Sequence, residues 1–426
     1  MKTLLLALLF VICSTVVAQD QTYIQCGQLL DVATGEVHSQ KTVVVQGDTI
    51  IDIMDGWRVP SGEVTVINLQ DKLVMPGWID MHVHLEHQSS PTSYLDRFKI
   101  EPEMYGIQAY AYGTKTLMAG FTTVRDLGGS GANNALRDAV KKGLVDGPRI
   151  YSVRKSIAIT GGHADPTNGR TLKLQGKPNY QNGVCDSPEE CAKAVRWQVK
   201  NGADWIKITA TGGVLSVAKD GDGPAFSEEE LAAIVATARD RGVQVAAHAH
   251  GKEGMLRAVQ AGIKTIEHGT YMDEEVMREM KRMNCYYIPT ITAGWAVGQN
   301  AKKDGYYPEV VRPKAARIGP LIQDTFAKAY AFGVPIGFGT DAGVFDHGMN
   351  AKEFELMFEA GMPVIEAIQA ATIVNAKILR AEDEFGQIKK GLSADIIAVD
   401  PASLENPALL MNVPFVMKEG AVYKND

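Results

Sequence analysis

Between residues 74 and 385 the chain alternates short apolar runs with amphipathic segments. The runs end in Gly, Asp, Thr or His: LVMPGWIDMHVH, FTTVRDLGG, RIYSV, ADWIKITATGG, VQVAAHAHG, IKTIEHGT, YYIPTIT and VPIGFGTDAG. Between most of them lie segments of helical period, such as Ser227 to Arg241 (SEEELAAIVATARDR), where Ser227 and Glu230 make a capping box. Strands that alternate with helices predict an α/β fold with a parallel sheet, and eight of them predict a (β/α)8 TIM-like barrel. A doubly wound open sheet is the alternative. It fits less well, because polar residues close many different strands, as they do around a barrel mouth.

The two ends read differently. Lys41 to Ile53 (KTVVVQGDTIIDI) carries β-branched runs broken by Gly47-Asp48, a hairpin signal, and Val64 to Leu69 adds a strand. Ser393 to Asp400 and Val413 to Tyr423 are strand-like again. These ends, residues 19–73 and 386–426, predict a small β-sandwich domain assembled around a barrel of residues 74–385. Residues 1–18 read as a signal peptide: Lys2, an apolar run from Leu4 to Val17, and small residues at Val16 and Ala18 before Gln19. That run is shorter than the roughly 20 residues a spanning helix needs, and no later segment is a convincing span. Cys13 follows Val11-Ile12, where lipoprotein processing would want a small residue. The expectation is an exported protein, periplasmic or secreted, with no membrane attachment once the leader is removed.

Composition narrows the function classes. A length of 426 residues suits a large barrel plus a smaller attachment, and 45% hydrophobic with 22% charged residues is ordinary for a soluble globular chain. The net charge of −7 supplies no basic face for a phosphate backbone, so nucleic acid is not an expected partner. Five cysteines are too few to form the scaffold. Cys185 and Cys191 flank a turn and helix start, Asp186 to Glu190, where a local disulfide competes with two separate thiols.

The chemistry lies at the strand ends. His82 and His84 are two apart on a strand, so both imidazoles project to one side. His248, His268 and Asp341 each close another strand and would meet the pair at one mouth. Unrelated buried polar groups in such positions would be costly. Lys207 sits in ADWIKI, a strand otherwise buried, where an unpaired amine tends to lose its proton. A neutral amine can take up carbon dioxide as a carbamate, an anionic ligand able to bridge two metal ions; a lysine snorkelling to the rim is the plainer reading. Others read as structural: His87 as a loop residue, Arg125 and Asp126 as hydrogen-bonding groups at the mouth, Tyr286-Tyr287 as strand packing, and Met277, Met280 and Met283 as core filling.

Together PGWIDMHVHL, the strand-four lysine, HAHG, IEHG and FGTDAG resemble the amidohydrolase superfamily, over almost the whole mature chain. The resemblance implies two divalent metal ions, zinc by the mixed imidazole and carboxylate-like shell. His82, His84 and Asp341 would hold one, His248 and His268 the other, with carboxylated Lys207 between them. TGGHAD (Thr160 to Asp165) and TGGV (Thr211 to Val214) resemble a narrower group of Xaa-Pro and Xaa-Arg/Lys dipeptidases, carboxypeptidases and ochratoxin-cleaving amidases. That implies cleavage of an amide bond next to a free C-terminal carboxylate, in a dipeptide or N-acyl amino acid. His163 and His250 would help hold the carboxylate, although His250 stands where some relatives carry tyrosine. Asp341 would accept the proton of the attacking water and return it to the leaving nitrogen. A homo-oligomer is likewise implied by resemblance alone. Cyclic-amide opening or ring deamination within the same superfamily, and a non-catalytic scaffold of the same fold, are the competing readings. Lys207 argues against the deaminases, and retention of all six ligand-type residues argues against the scaffold.

Overall fold

The computed structural model describes residues 21–59, 64–217 and 221–426; the predicted leader lies outside them. Fourteen strands are assigned among these residues: β1 (Gln21–Asp31), β2 (Glu36–Gln46), β3 (Thr49–Asp55), β4 (Thr65–Pro76), β5 (Trp78–Val83), β6 (Phe121–Asp126), β7 (Arg149–Ser152), β8 (Ile206–Thr209), β9 (Val245–Ala249), β10 (Thr265–His268), β11 (Tyr286–Ile288), β12 (Ile396–Val399), β13 (Phe415–Lys418) and β14 (Ala421–Asn425).

Both chain ends contribute to one seven-stranded sheet, in the order β14-β13-β12-β4-β1-β2-β3. Two stacked sheets were expected; the hydrogen bonding records a single one. The reason is the length of its central strands. β4 has twelve residues, pairing in parallel with β1 over its first part and antiparallel with β12 over its last. The sheet curls until its two edges approach. The β2–β3 turn meets the segment before β12 and the β13–β14 turn, with Ala394 N–H donating to Asp48 O at 2.7 Å. At that junction Gly420 has φ 75°, and a Cβ there would lie 1.9 Å from Gly47 O. Only glycine combines the left-handed backbone with so close an approach. One face of the sheet buries Ile24, Val43, Ile67, Ile396 and Phe415 as a core of its own.

A single residue after β4, the chain enters β5 and the α/β region. Two parallel sheets follow, β5-β6-β7 and β11-β10-β9-β8. β5, β6 and β8 to β11 are buried along their whole length, as parallel strands covered on both faces must be. Helices pack between successive strands. The expected capping box is present: Ser227 Oγ accepts from Glu230 N–H, and Glu230 returns a bond to the Ser227 N–H. Pro188–Lys200 is capped by Ser187, and a disulfide joins Cys185 to Cys191 at its start. Cys26 and Cys285 are buried free thiols.

The expected eighth strand, VPIGFGTDAG, forms no regular ladder, yet it hydrogen-bonds on both sides. Tyr287 N–H donates to Pro335 O and Gly337 N–H to Tyr287 O on one side; Met81 N–H donates to Phe338 O and Asp341 N–H to His82 O on the other. Pro335 has no N–H, and Gly337 and Gly339 weaken the strand, so contact is made without a continuous strand. Across the other gap, Ile157 N–H donates to Lys207 O and Thr209 N–H to Ile157 O. Among the described residues no helix is long and apolar enough to cross a membrane.

Candidate active site

The C-terminal ends of the parallel strands deliver six side chains to one cavity of about 360 Å3. His82 and His84 come from β5 and the residue after it, Lys207 from β8, His248 from β9, His268 from β10, and Asp341 from the eighth segment. The Lys207 Nζ lies 3.5 Å from His82 Nε2. Asp341 Oδ1 lies 3.4 Å from the Nε2 of both His82 and His84. The His248 and His268 rings are 4.6 Å apart, and His268 is 5.0 Å from His82. The tightest set of ligand-type atoms is His82, His268 and Asp341, all within 4.8 Å of one another.

Each imidazole is held by one nitrogen from outside the cluster. His82 Nδ1 bonds Glu267 Oε2 at 3.0 Å, and His84 Nδ1 donates to Gly128 O at 2.8 Å. His248 Nε2 donates to Gly212 O at 3.1 Å, and His268 Nδ1 bonds Thr290 Oγ1 at 2.8 Å. The other nitrogen of each ring is left for the interior, an arrangement typical of metal-ligating histidines. Burial holds all four well below the ordinary histidine range, so they are neutral with a lone pair to give.

One charged member is unsatisfied by the protein alone. Asp341 Oδ1 is buried without a hydrogen-bond partner. Burial raises the Asp341 carboxyl and lowers the Lys207 ammonium, each pushed toward its neutral form. Neutral imidazoles, an orphaned carboxyl oxygen and an amine that burial makes easier to deprotonate, gathered in one pocket, could hold divalent cations.

Backbone strain marks the same place. His268 and Asp341 have φ of 71° and 62°, and Thr290, which supports His268, has φ 54°. A β-branched residue in the left-handed region is an outlier that the surroundings must hold. Here Glu353 caps the helix Ile291–Ala301 from below, accepting from Ile291 N–H at 2.8 Å and Thr292 N–H at 2.7 Å. Tyr287 donates its phenol to His268 O at 2.7 Å, a bond beyond the strand packing expected of it.

His163 and His250 reach the cavity as well. The His163 ring stacks on His248 at 4.3 Å, and His250 lies 5.1 Å from His268. Gly213 makes room for His163, since a Cβ there would come within 2.1 Å of its Nδ1. His250 is fixed by Nδ1 to Thr270 Oγ1 at 2.8 Å. Burial pushes these two down to about 4 and about 3, so they offer hydrogen bonds without charge. Ala293, Val297, Ile318 and Ile322 add apolar surface to the same cavity.

Several supporting residues escaped the sequence reading. Glu267, fully buried, links His82 to Arg125, whose Nη2 donates at 2.9 Å, and to Thr265 Oγ1 at 2.5 Å. Arg125 is therefore not at the mouth. It lies fully buried beneath His82, donating to Met81 O and resting over the Trp205 ring. Asp126 does form mouth hydrogen bonds, accepting from Leu85 N–H and Gly128 N–H. Asp80 braces the eighth segment through Thr340 and Asn350. His87 is an exposed loop residue beside His84, and Met277 and Met280 are core.

The model of the amidohydrolase family matches residues 73–424. The chain belongs to the amidohydrolase family. This amidohydrolase is 32% identical over 375 residues to ochratoxinase of Aspergillus niger, covering 83% of this chain and 76% of that one. It also resembles the crystal structure of a Xaa-Pro dipeptidase with methionine bound in its active site. There the TM-score is 0.93 at 48% identity, over 95% of this chain and all of the other (100%). A prolidase complexed with N-methylphosphonate-L-proline aligns with TM-score 0.86 at 31% identity, covering 95% of this chain and 100% of that one. The amidohydrolase is accordingly a hydrolytic enzyme.

Proposed function

We propose that this amidohydrolase cleaves the amide bond next to a free C-terminal carboxylate, in a dipeptide or N-acyl amino acid, with ochratoxin-like amides as further substrates. The observation that carries the reading is the set of four neutral imidazoles, each tied from outside by one nitrogen, around an orphaned Asp341 oxygen and the Lys207 amine. The likeness to a Xaa-Pro dipeptidase, a prolidase and an ochratoxinase supports the substrate class. We read the two parallel sheets and the eighth segment as a closed (β/α)8 barrel, and the leader as directing export. Assembly into a homo-oligomer belongs to the same reading.

His82, His84 and Asp341 would hold one divalent ion and His248 and His268 the other. Lys207 would serve both as a carbamate, formed when its neutral amine adds to carbon dioxide and releases a proton. Once bound, such ions, zinc by the donor set, polarise the scissile carbonyl and acidify water. Asp341 takes the proton of the attacking water at a carboxylate oxygen and passes it to the departing nitrogen, which cannot leave as an amide anion. His163 and His250 direct N–H groups at the carboxylate of the leaving amino acid. The apolar wall of Val297, Ile318 and Ile322 excludes bulk water and strengthens these contacts.

A screen of dipeptides and N-acyl amino acids, run with metal-loaded and metal-stripped enzyme, tests the assignment. Metal-dependent cleavage beside a free carboxylate is the expected result; cleavage confined to cyclic amides would overturn it. Glu267→Gln is expected to weaken metal retention roughly 10- to 100-fold, because the His82 ring loses its anionic anchor. Titration with a chelator measures that change, and an unaltered chelator midpoint would remove Glu267 from the site.

A further inference from the structure

A second cavity, of about 650 Å3, opens beside the first, and His87, Arg97, Ser156 and Ala164 line both. It departs from the His84 side of the cluster, since the His84 and His87 rings are 5.5 Å apart. His163 and His250 lie instead against His248 and His268, and neither lines the second cavity. If those two receive the leaving amino acid, the second cavity is where the acyl half of the substrate extends.

Two arginines line that second cavity, Arg97 at its junction with the first and Arg170 within it. The guanidiniums of Arg97 and Arg170 both rest on the Phe98 ring, at 5.0 and 5.6 Å from its centroid. Like charges are thus gathered on one ring. The Nε of each is buried with no hydrogen-bond partner, and among the described residues neither arginine forms an ion pair. Lys155 adds a third cation to the lining. The two carboxylates in the cavity wall are engaged elsewhere: Glu86 accepts from Ser130, Gly131 and Asn133 N–H at a helix start, and Asp96 accepts from Thr92 Oγ1 at 2.8 Å. A buried Nε donor without a partner is costly, and the rest of each half-buried guanidinium offers a planar fork that matches a carboxylate.

We propose that Arg97 and Arg170 form an anion subsite that receives a carboxylate on the acyl half of the substrate, so that the enzyme favours amides with an acidic acyl residue. The proposal rests on the amidase reading above for the position of the scissile bond, while the subsite itself is defined by the two arginines and the cavity.

The test compares matched dipeptides, Glu-X and Gln-X with the same leaving residue, which differ in charge and hardly in shape. For the unaltered enzyme kcat/KM for Glu-X is expected to exceed that for Gln-X by roughly 10- to 100-fold. In Arg97→Gln, Arg170→Gln and the double variant that ratio falls toward one. Being a ratio, it is insensitive to loss of folded enzyme. Calorimetric binding of glutarate against butyrate provides an arm independent of turnover, with glutarate the tighter ligand and its advantage lost in the double variant. A ratio near one in the unaltered enzyme, or one unchanged by the substitutions, overturns the proposal. Glutarate selectivity that depends on the arginines, with neither dipeptide cleaved, sustains the subsite and overturns the amidase reading instead.

Discussion

Replacing Asp341 by asparagine is expected to lower kcat roughly 10³-fold or more, with the protein still folded. The substitution is chosen for its backbone. Residue 341 has φ 62°, a region in which asparagine is among the best tolerated of non-glycine residues, so an effect of strain is kept small. Asparagine preserves shape and one oxygen but cannot hold the proton that must travel from water to the leaving nitrogen. Steady-state kinetics on a cleaved dipeptide, with circular dichroism as the check on folding, measure the loss. If kcat were to fall less than tenfold, the proton route through this carboxylate would have to be abandoned.

Lys207→Ala is expected to lose activity by a comparable factor, roughly 10³-fold, together with bound metal. The reasoning is geometric. Lys207 rises from β8 into the middle of the imidazoles, with its Nζ 3.5 Å from His82 Nε2, and among the described residues no carboxylate forms an ion pair with it. Truncation leaves space where the carbamate is proposed to sit. A short free carboxylate such as propionate, added at millimolar concentration, should enter that space and restore part of the activity, whereas a short amine should not. Rescue by amine alone would mean that the side chain acts as an ammonium, and the carbamate would be wrong.

How far the sequence disclosed the site depended on whether its residues obeyed strand geometry. The His82 and His84 pair was legible because alternation on a strand sends residues two apart to the same face. Lys207 was legible because charge within an otherwise apolar strand needs a reason. Glu267 was hidden by the same rule. Adjacent residues on a strand point to opposite faces, yet Glu267 and His268 both serve the interior, because the left-handed backbone at His268 turns its side chain back. Thr290 and Glu353, which support that turn, lie 22 and 85 residues beyond His268, too far for any local pattern. Arg97 and Arg170 lie in loops with no period to read. At the level of the fold, the hairpin broken at Gly47-Asp48 and the strands near 396 and 415 matched their pattern. What the pattern could not show was that β4, running on to Pro76, would unite both ends in one curled sheet.

The central claim is that six side chains cradle two cations bridged by a modified lysine. Crystals of the metal-loaded protein, with anomalous scattering collected at the zinc edge, test it most directly. Two anomalous peaks are expected inside the ring of His82, His84, His248, His268 and Asp341, with planar density extending from Lys207 Nζ between them. A single peak, none, or a bare ammonium at Lys207 would contradict it.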